Sequence, residues 1–353
     1  MANVNPLDIS KLEKELEAIY TYNSSCKRHE DKIVPALWGP PGIGKTEVVK
    51  QVTRKVGAKL GLPYRTQVLG LASLSPVDVG GFPYERDGYA YQAKPFYFPQ
   101  EDEYANVFLD EINTAPQINQ VAAYQLTLNF GIQHHVMPLP TWVTVAGNRA
   151  KDKGATHTMP KPLENRLTHY EVRTSATSWL SYAASAGYHP DVIGFIAYSN
   201  GSLQNETPQP EERAFATPRS WEKVSLMLNA GIGTRANISG TIGLGEYTKL
   251  AAYVKLKDSL PNLDEVLNTG RVDNIPRDRD KQYAFLMGLA SRLVSTYKED
   301  RAENFFKVYS IDLFNRDLKV VVLRYLQGSE KGAIISNNPK FQPYIREALY
   351  EKV

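Results

Sequence analysis

The sequence predicts an α/β fold: a three-layer sandwich with a parallel sheet, followed by an α-helical lid and further C-terminal helices. Three observations lead there. A glycine-rich loop stands between a short apolar run and a helical pattern, a second apolar run ends in two consecutive acids, and the C-terminal part carries helical spacing. Strands are expected near residues 33–38, 64–70, 105–109, 141–146 and 169–174, with helices on both faces of the sheet. Residues 1–175 form the nucleotide-binding domain, with 1–30 as a helical extension. Residues 176–270 form the lid, and 271–353 a helical segment packed on it. The two breaks that set these limits are the polar, proline-dotted stretch 199–220 and the charged stretch 268–281.

Composition narrows the class. The 353 residues are 42% hydrophobic and 22% charged, with a net charge of +3, too small to argue for nucleic acid or an anionic membrane. The single cysteine, Cys26, cannot form an internal disulfide, which fits a reducing compartment. The first residues, MANVNPLDISKLEKELEAIY, have apolar positions at helical spacing broken by charges, unlike a signal peptide. No apolar run reaches the ~18–20 residues that span a bilayer. A soluble, cytoplasmic protein is expected.

The first strand, IVPALW, feeds GPPGIGKT, which matches G-x-x-x-x-G-K-[ST] from Gly39 to Thr46. Val48, Val49, Val52 and Val56 then recur at helical spacing. Strand, loop and helix in that order are the context of a phosphate-binding loop. Gly39, Gly42 and Gly44 allow the backbone to curl so that N–H groups point inward, and the helix N-terminus adds partial positive charge. Pro40, Pro41, Ile43 and Glu47 complete the candidate nucleotide-binding set. Lys45 can reach the β- and γ-phosphates of ATP, and the Thr46 hydroxyl can ligate Mg²⁺.

In NVFLDEINTA, Val107, Phe108 and Leu109 read as a buried strand that ends in Asp110 and Glu111. Asp110 can hold Mg²⁺ beside Thr46, and Glu111 can polarise the attacking water. A hydrolytic glutamate has no place in a small-molecule kinase, which must keep water out. The pair points to an NTPase that converts hydrolysis into motion. In TWVTVAGNRA a buried strand leads to Asn148, whose amide could hold the water and the γ-phosphate. MPKPLENRLTHYEV comes next, carrying Arg166 before another apolar strand, and FATPRSWEKVSLML places Arg219 at a helix start.

In this order, the phosphate loop, FLDE, Asn148, Arg166 and Arg219 resemble an AAA+ ATPase. LASLSPVDVGGFPY, VTVAGNRAKDKGATHTMPKPLENRLTHYEV and TSWLSYAASAGYHPDVIGFI narrow the likeness to the MoxR-like branch, near the dynein-related and CbbQ-like ATPases and closest to a bacterial and phage subset. The resemblance covers roughly residues 30–270. It implies that Asn148 is sensor 1, that Arg166 is the arginine finger offered to a neighbouring subunit, and that Arg219 is sensor 2 on the lid. Arg149 and Arg173 compete with Arg166 for the finger role. The resemblance further implies a hexameric ring that remodels a protein or complex, with a von Willebrand factor A-like partner. The alternative is a motor or loader acting on nucleic acid, which the small net charge and the lack of any nucleic-acid-binding motif make the weaker reading. Unlike typical MoxR proteins, the chain has no acidic residue on the helix QINQVAAYQLTLNFG.

That helix is expected to end at Gly131 as a left-handed C′ residue. GGFPYERDGYAYQAKPFYF reads as a hairpin turning at Arg86–Gly88, with Phe82 and Tyr84 as candidates for the pore of a ring and packing of these aromatics as the competing expectation. His134 and His135, as neighbours in a strand, are expected on opposite faces, so no shared zinc ion is assigned to them.

Overall fold

The computed structural model describes residues 6–149, 157–209, 211–329 and 331–350. It forms two units, Met1–Thr174 and Ser175–Val353.

The strands of the first unit are β1 (Pro35–Trp38), β2 (Arg65–Gly70), β3 (Pro83–Arg86), β4 (Tyr89–Gln92), β5 (Ala105–Asp110), β6 (Gly131–Ile132), β7 (His135–Val136), β8 (Trp142–Gly147) and β9 (Thr168–Glu171). Its helices are α1 (Ile9–Ser25), α2 (Lys45–Leu60), α3 (Pro76–Gly80), α4 (Gln117–Asn129) and α5 (Lys161–Arg166). Five strands pair in parallel in the order β2–β5–β8–β1–β9. β1, β5 and β8 are almost wholly buried, which is why they read as continuous apolar runs rather than alternating ones.

Alternation along the strands divides the core into two layers. Ala36, Trp38, Val107, Leu109, Val143 and Val145 face one cluster, which also takes Ala123 and Leu126 of α4 and Leu163 of α5. Leu37, Phe108, Trp142 and Ala146 face the other, built with Leu12, Leu16, Ile19 and Tyr20 of α1 and Val48, Val49, Val52 and Val56 of α2. A buried polar chain crosses this second layer. Asn106 donates to Thr53 Oγ1 (3.0 Å), Thr144 donates to Asn106 Oδ1 (3.0 Å), and the Tyr20 and Thr144 hydroxyls share a bond of 2.8 Å. Burial pushes the Tyr20 phenol up to about 12. The N-terminal extension is thus fastened to the sheet by its polar groups as well as by its apolar face. Just ahead of it, Leu7 donates to Glu171 O (2.8 Å) and accepts from Arg173 N (2.9 Å), an isolated parallel bridge at the end of β9.

Two local expectations need correction. α4 stops at Asn129, and the left-handed residue after it is Phe130 (φ 50°), not Gly131. Gly131 serves a close approach instead, because a Cβ there would lie 2.5 Å from His135 O across the β6–β7 hairpin. His134 and His135 do not diverge. His134 lies in the turn of that hairpin, and the two rings are 4.0 Å apart, so the strand argument does not apply to them. The β3–β4 hairpin turns through Asp87 (φ 55°) and Gly88 (φ 78°), the pair of left-handed residues that a tight hairpin favours. Phe82 (69% exposed) and Tyr84 (44% exposed) lie outside the core, Tyr84 stacked on Tyr91.

Helices are the regular elements of the second unit's described residues: α6 (Ala176–Ser185), α7 (Pro190–Tyr198), α8 (Pro218–Asn229), α9 (Arg235–Ile242), α10 (Leu244–Lys255), α11 (Leu263–Thr269), α12 (Arg279–Ser295), α13 (Glu299–Tyr309), α14 (Arg316–Gly328), α15 (Gly332–Asn337) and α16 (Gln342–Tyr350). The charged stretch 268–281 joins α11 to α12, with Gly270 (φ 68°) closing α11. Residues on both sides of it share one core, in which Phe195, Trp221 and Leu267 join Phe285, Phe305 and Leu323. Thr217 and Ser220 form a capping box at the start of α8, and Trp221 donates to Ser202 O (2.8 Å), which fixes the polar stretch before it.

Candidate active site

The candidate residues of the first unit gather where β1, β5 and β8 end. β8 lies between the other two strands, so the loop after β1, the acids after β5 and the amide after β8 emerge side by side. This is the carboxyl edge of a parallel sheet, where such folds place their ligands.

The loop from Gly39 to Thr46 is shaped by its glycines. A Cβ on Gly39 would meet Val172 O at 2.6 Å and Ile43 Cδ1 at 2.8 Å. Gly42 (φ 77°) and Gly44 (φ 99°) are left-handed, and around Gly44 a Cβ would meet nothing within 4 Å. Gly39 is therefore required by packing, and Gly44 by backbone conformation alone. Ile43 anchors the loop in the core, whereas Pro41 is exposed. Lys45 is 8% exposed, and its ammonium donates to Gly39 O (2.6 Å) and Pro40 O (3.0 Å), which holds the charge inside the curl of the loop. Glu47 turns away along α2 toward Gln51 (3.3 Å) and Arg54 (3.6 Å).

Thr46 Oγ1 donates to Asp110 Oδ2 (3.0 Å), bringing together two hard oxygen donors from distant parts of the chain. Glu111 is next, with an exposed side chain and a left-handed backbone (φ 59°), uncommon for a residue with a Cβ. Its carbonyl accepts from Thr114 N (3.0 Å), Ala115 N (3.2 Å) and Thr114 Oγ1 (2.9 Å), so the turn after it holds this conformation. The backbone strain falls on the residue expected to handle water.

Asn113 is a residue that motif reading passed over. It is 7% exposed, its Nδ2 donates to Asn148 O (2.6 Å) and its Oδ1 accepts from Asn148 N (3.1 Å). With Ile112 N donating to Ala146 O (3.0 Å), it ties the acidic turn to the Asn148 loop. Nothing in DEINTA singles it out, since Thr114 beside it is polar too.

The arginines are placed differently. Arg166, exposed at the end of α5, donates to Leu128 O of α4 (3.3 Å). Arg149 pairs with Glu171 (3.4 Å), the two side chains only 14% and 21% exposed. Arg173 is exposed. Arg219 is the second residue of α8 in the second unit and is exposed. Within the first unit the structure therefore joins Lys45, Thr46, Asp110, Glu111 and Asn148 into one site and leaves Arg166 outside that set of contacts. Residues 150–156, part of the stretch that narrows the resemblance, lie outside the described residues.

A parallel sheet with a glycine loop, an acidic strand end and an asparagine between them, followed by a helical unit, is an α/β fold of the P-loop type. No family model matches the chain, and no curated protein matches it. Among solved structures, it is similar to a RuvB mutant of Thermotoga maritima, at 16% identity over 82% of this chain and 76% of that one, with a TM-score of 0.38. NtrX from Brucella abortus shares 12% identity over 98% and 68% of the two chains, with a TM-score of 0.39. The Aeropyrum pernix Orc1 protein in complex with DNA shares 13% over 91% and 83%, also with a TM-score of 0.39. At these identities and scores the likenesses are too remote to assign a function, which has to come from the site itself.

Proposed function

We propose that this chain is an ATP-hydrolysing AAA+ ATPase of the MoxR-like branch, working in a ring, most simply a hexamer, to remodel a protein or complex. The observation that carries the hydrolytic part is the meeting of Thr46 with Asp110 at the mouth of the loop that holds Lys45, with Glu111 and Asn148 beside them. The MoxR-like branch and a von Willebrand factor A-like partner rest on the sequence resemblance.

In this reading the inward N–H groups of the loop and Lys45 bind the β- and γ-phosphates, the Lys45 ammonium exchanging its hold on the Gly39 and Pro40 carbonyls for phosphate oxygens. Thr46 and Asp110 would hold Mg²⁺, which supplies charge neutralisation on the phosphate oxygens. Glu111 accepts a proton from the attacking water, and Asn148, fixed through Asn113, orients water and γ-phosphate. Arg219, on α8 of the second unit, keeps the sensor 2 role that the resemblance implies. Arg166 is supplied to the neighbouring subunit. Its exposure suits that task better than the semi-buried, ion-paired Arg149 does.

The test is ATP turnover by the purified protein with and without DNA, RNA or a von Willebrand factor A-like protein. Turnover that disappears in Lys45→Ala and responds to the protein alone supports the reading. Stimulation by nucleic acid would replace it with a nucleic-acid motor or loader.

A further inference from the structure

Arg166 ends a helix of six residues that has no side-chain cap at its N-terminus. So short a helix does not hold itself in place, because the nucleation cost exceeds what its few hydrogen bonds return. Something outside α5 must fix the direction in which Arg166 is offered. One contact is with α4, through Leu128 O. Leu163 of α5 is also buried in the core, and a further contact runs through Trp38 and His169.

Trp38 is the last residue of β1, directly before Gly39, and is 2% exposed. Its indole Nε1–H donates to His169 Nδ1 (2.8 Å), the ring centroids 5.8 Å apart and the planes 24° from parallel. An indole nitrogen only donates, so Nδ1 is the acceptor and the proton of the neutral imidazole sits on Nε2. That Nε2–H donates to Glu164 O (2.8 Å), two residues before Arg166. The other side of the same indole lies against the Asn148 loop, for a Cβ on Gly147 would be 2.5 Å from Trp38 Cζ3. One side chain therefore stands at the root of the phosphate loop, beside the lead-in to Asn148, and at the head of a two-bond link to α5.

We propose that Trp38 and His169 are positioning residues for Arg166, setting from within one subunit the placement of the arginine that completes the neighbour's site. This rests on the reading of Arg166 as a finger supplied in trans. It goes beyond that reading by naming the residues that aim it and by tying their placement to the phosphate loop of the same subunit.

The experiment uses mixed assemblies purified through two different tags, so that co-assembly is assured. His169→Ala alone should bind ATP as the wild type does and turn over about 100-fold more slowly, the size expected of a displaced catalytic group. His169→Gln, whose amide can accept from Trp38 and donate to Glu164 O, should recover most of the rate. Mixed with Lys45→Ala, which lacks a working pocket but keeps Trp38, His169 and Arg166, the His169→Ala subunits should regain turnover, because their intact pockets then meet well-placed fingers. Arg166→Ala mixed with Lys45→Ala is the control. If the control regains activity and the His169→Ala mixture does not, His169 acts in its own pocket or only in folding, and the proposal is wrong. If the control fails as well, the finger reading fails and takes this proposal with it. Wild-type turnover by His169→Ala alone would also overturn the proposal.

Discussion

Glu111 combines two properties rarely found together: an exposed carboxylate and a left-handed backbone held by three bonds to its carbonyl. The conformation belongs to the turn and not to the charge, so Glu111→Gln should keep it. That variant is expected to bind Mg·ATP like the wild type and hydrolyse it at least about 100-fold more slowly, the usual share of a general base. Lys45→Ala should fail at binding itself, because the ammonium at the centre of the loop is gone. Equilibrium titration with a fluorescent ATP analogue, beside a phosphate-release assay, separates the two outcomes. Wild-type turnover by Glu111→Gln would remove Glu111 from the role of base. Lys45, Thr46, Asp110 and Glu111 were legible because each belongs to a short motif whose geometry is local. Asn113 and His169 were not, because their meaning lies in partners 35 and 131 residues away in the chain. A motif reports on its own backbone. It is silent about what folding brings against it.

At the scale of elements, α1 is the piece that no motif explains. It buries Leu12, Leu16, Ile19 and Tyr20 against the phosphate-loop helix, and it carries Glu13 and Glu17 to Lys55 and Lys59 of α2. The apolar face should dominate. Leu16→Ala is expected to cost about 2–5 kcal/mol, whereas Glu17→Gln should cost no more than about 1 kcal/mol, since the charged groups are partly exposed and screened. Urea melts of the two variants check the ranking, and a larger loss in Glu17→Gln would reverse it. Helical spacing in the first residues made α1 legible, but its partner was not, since amphipathicity says that a face is buried and not against what.

The segment entering β1 makes a different demand. Lys32 is 8% exposed and donates to Leu139 O and to Thr141 O (2.9 Å), and burial pulls its ammonium down to about 8. In the unfolded chain a lysine keeps its proton to about pH 10.4. Between these values the unfolded state binds more protons, so stability should rise with pH, by about 1–3 kcal/mol in all. Below about pH 8 the cost of burying the charge is fully present. Lys32→Met should lack this rise between pH 8 and 10, whatever its absolute stability. Chemical denaturation at a series of pH values reads the slope, and equal slopes in both proteins would show that Lys32 is not its source. The ends of α4 illustrate how far sequence reached here. Gly131 was the natural stopping residue, yet the short hairpin requires the glycine for close approach and leaves the left-handed position to Phe130.

For the whole molecule, the prediction concerns assembly. If nucleotide is bridged by an arginine of the next subunit, a slowly hydrolysed ATP analogue should favour larger particles in light scattering. The shift should be weaker in Arg166→Ala and absent in Lys45→Ala. A strict monomer at tens of micromolar protein with the analogue would exclude the ring. The order of motifs made the α/β unit readable as a whole, and helical periodicity did the same for the second unit. The expected packing of residues 271–353 on the helices before them rested on helical spacing alone, which does not say which residues meet; Phe195, Trp221 and Leu267 join Phe285, Phe305 and Leu323.

The short pairing of Leu7 with β9 has a consequence at this scale too. An open sheet has two rims of unpaired peptide groups, and each can recruit a strand from another molecule. Here Leu7 meets one rim at the end of β9, with bonds to Glu171 and Arg173. The other, β2, opens with Arg65, which is engaged by Glu103 at 2.8 Å. Any assembly crowds identical sheets together, the condition under which they fuse into fibres. A single peptide unit ahead of α1 thus occupies hydrogen-bonding groups just past the end of β9 that a strand of another chain could otherwise take.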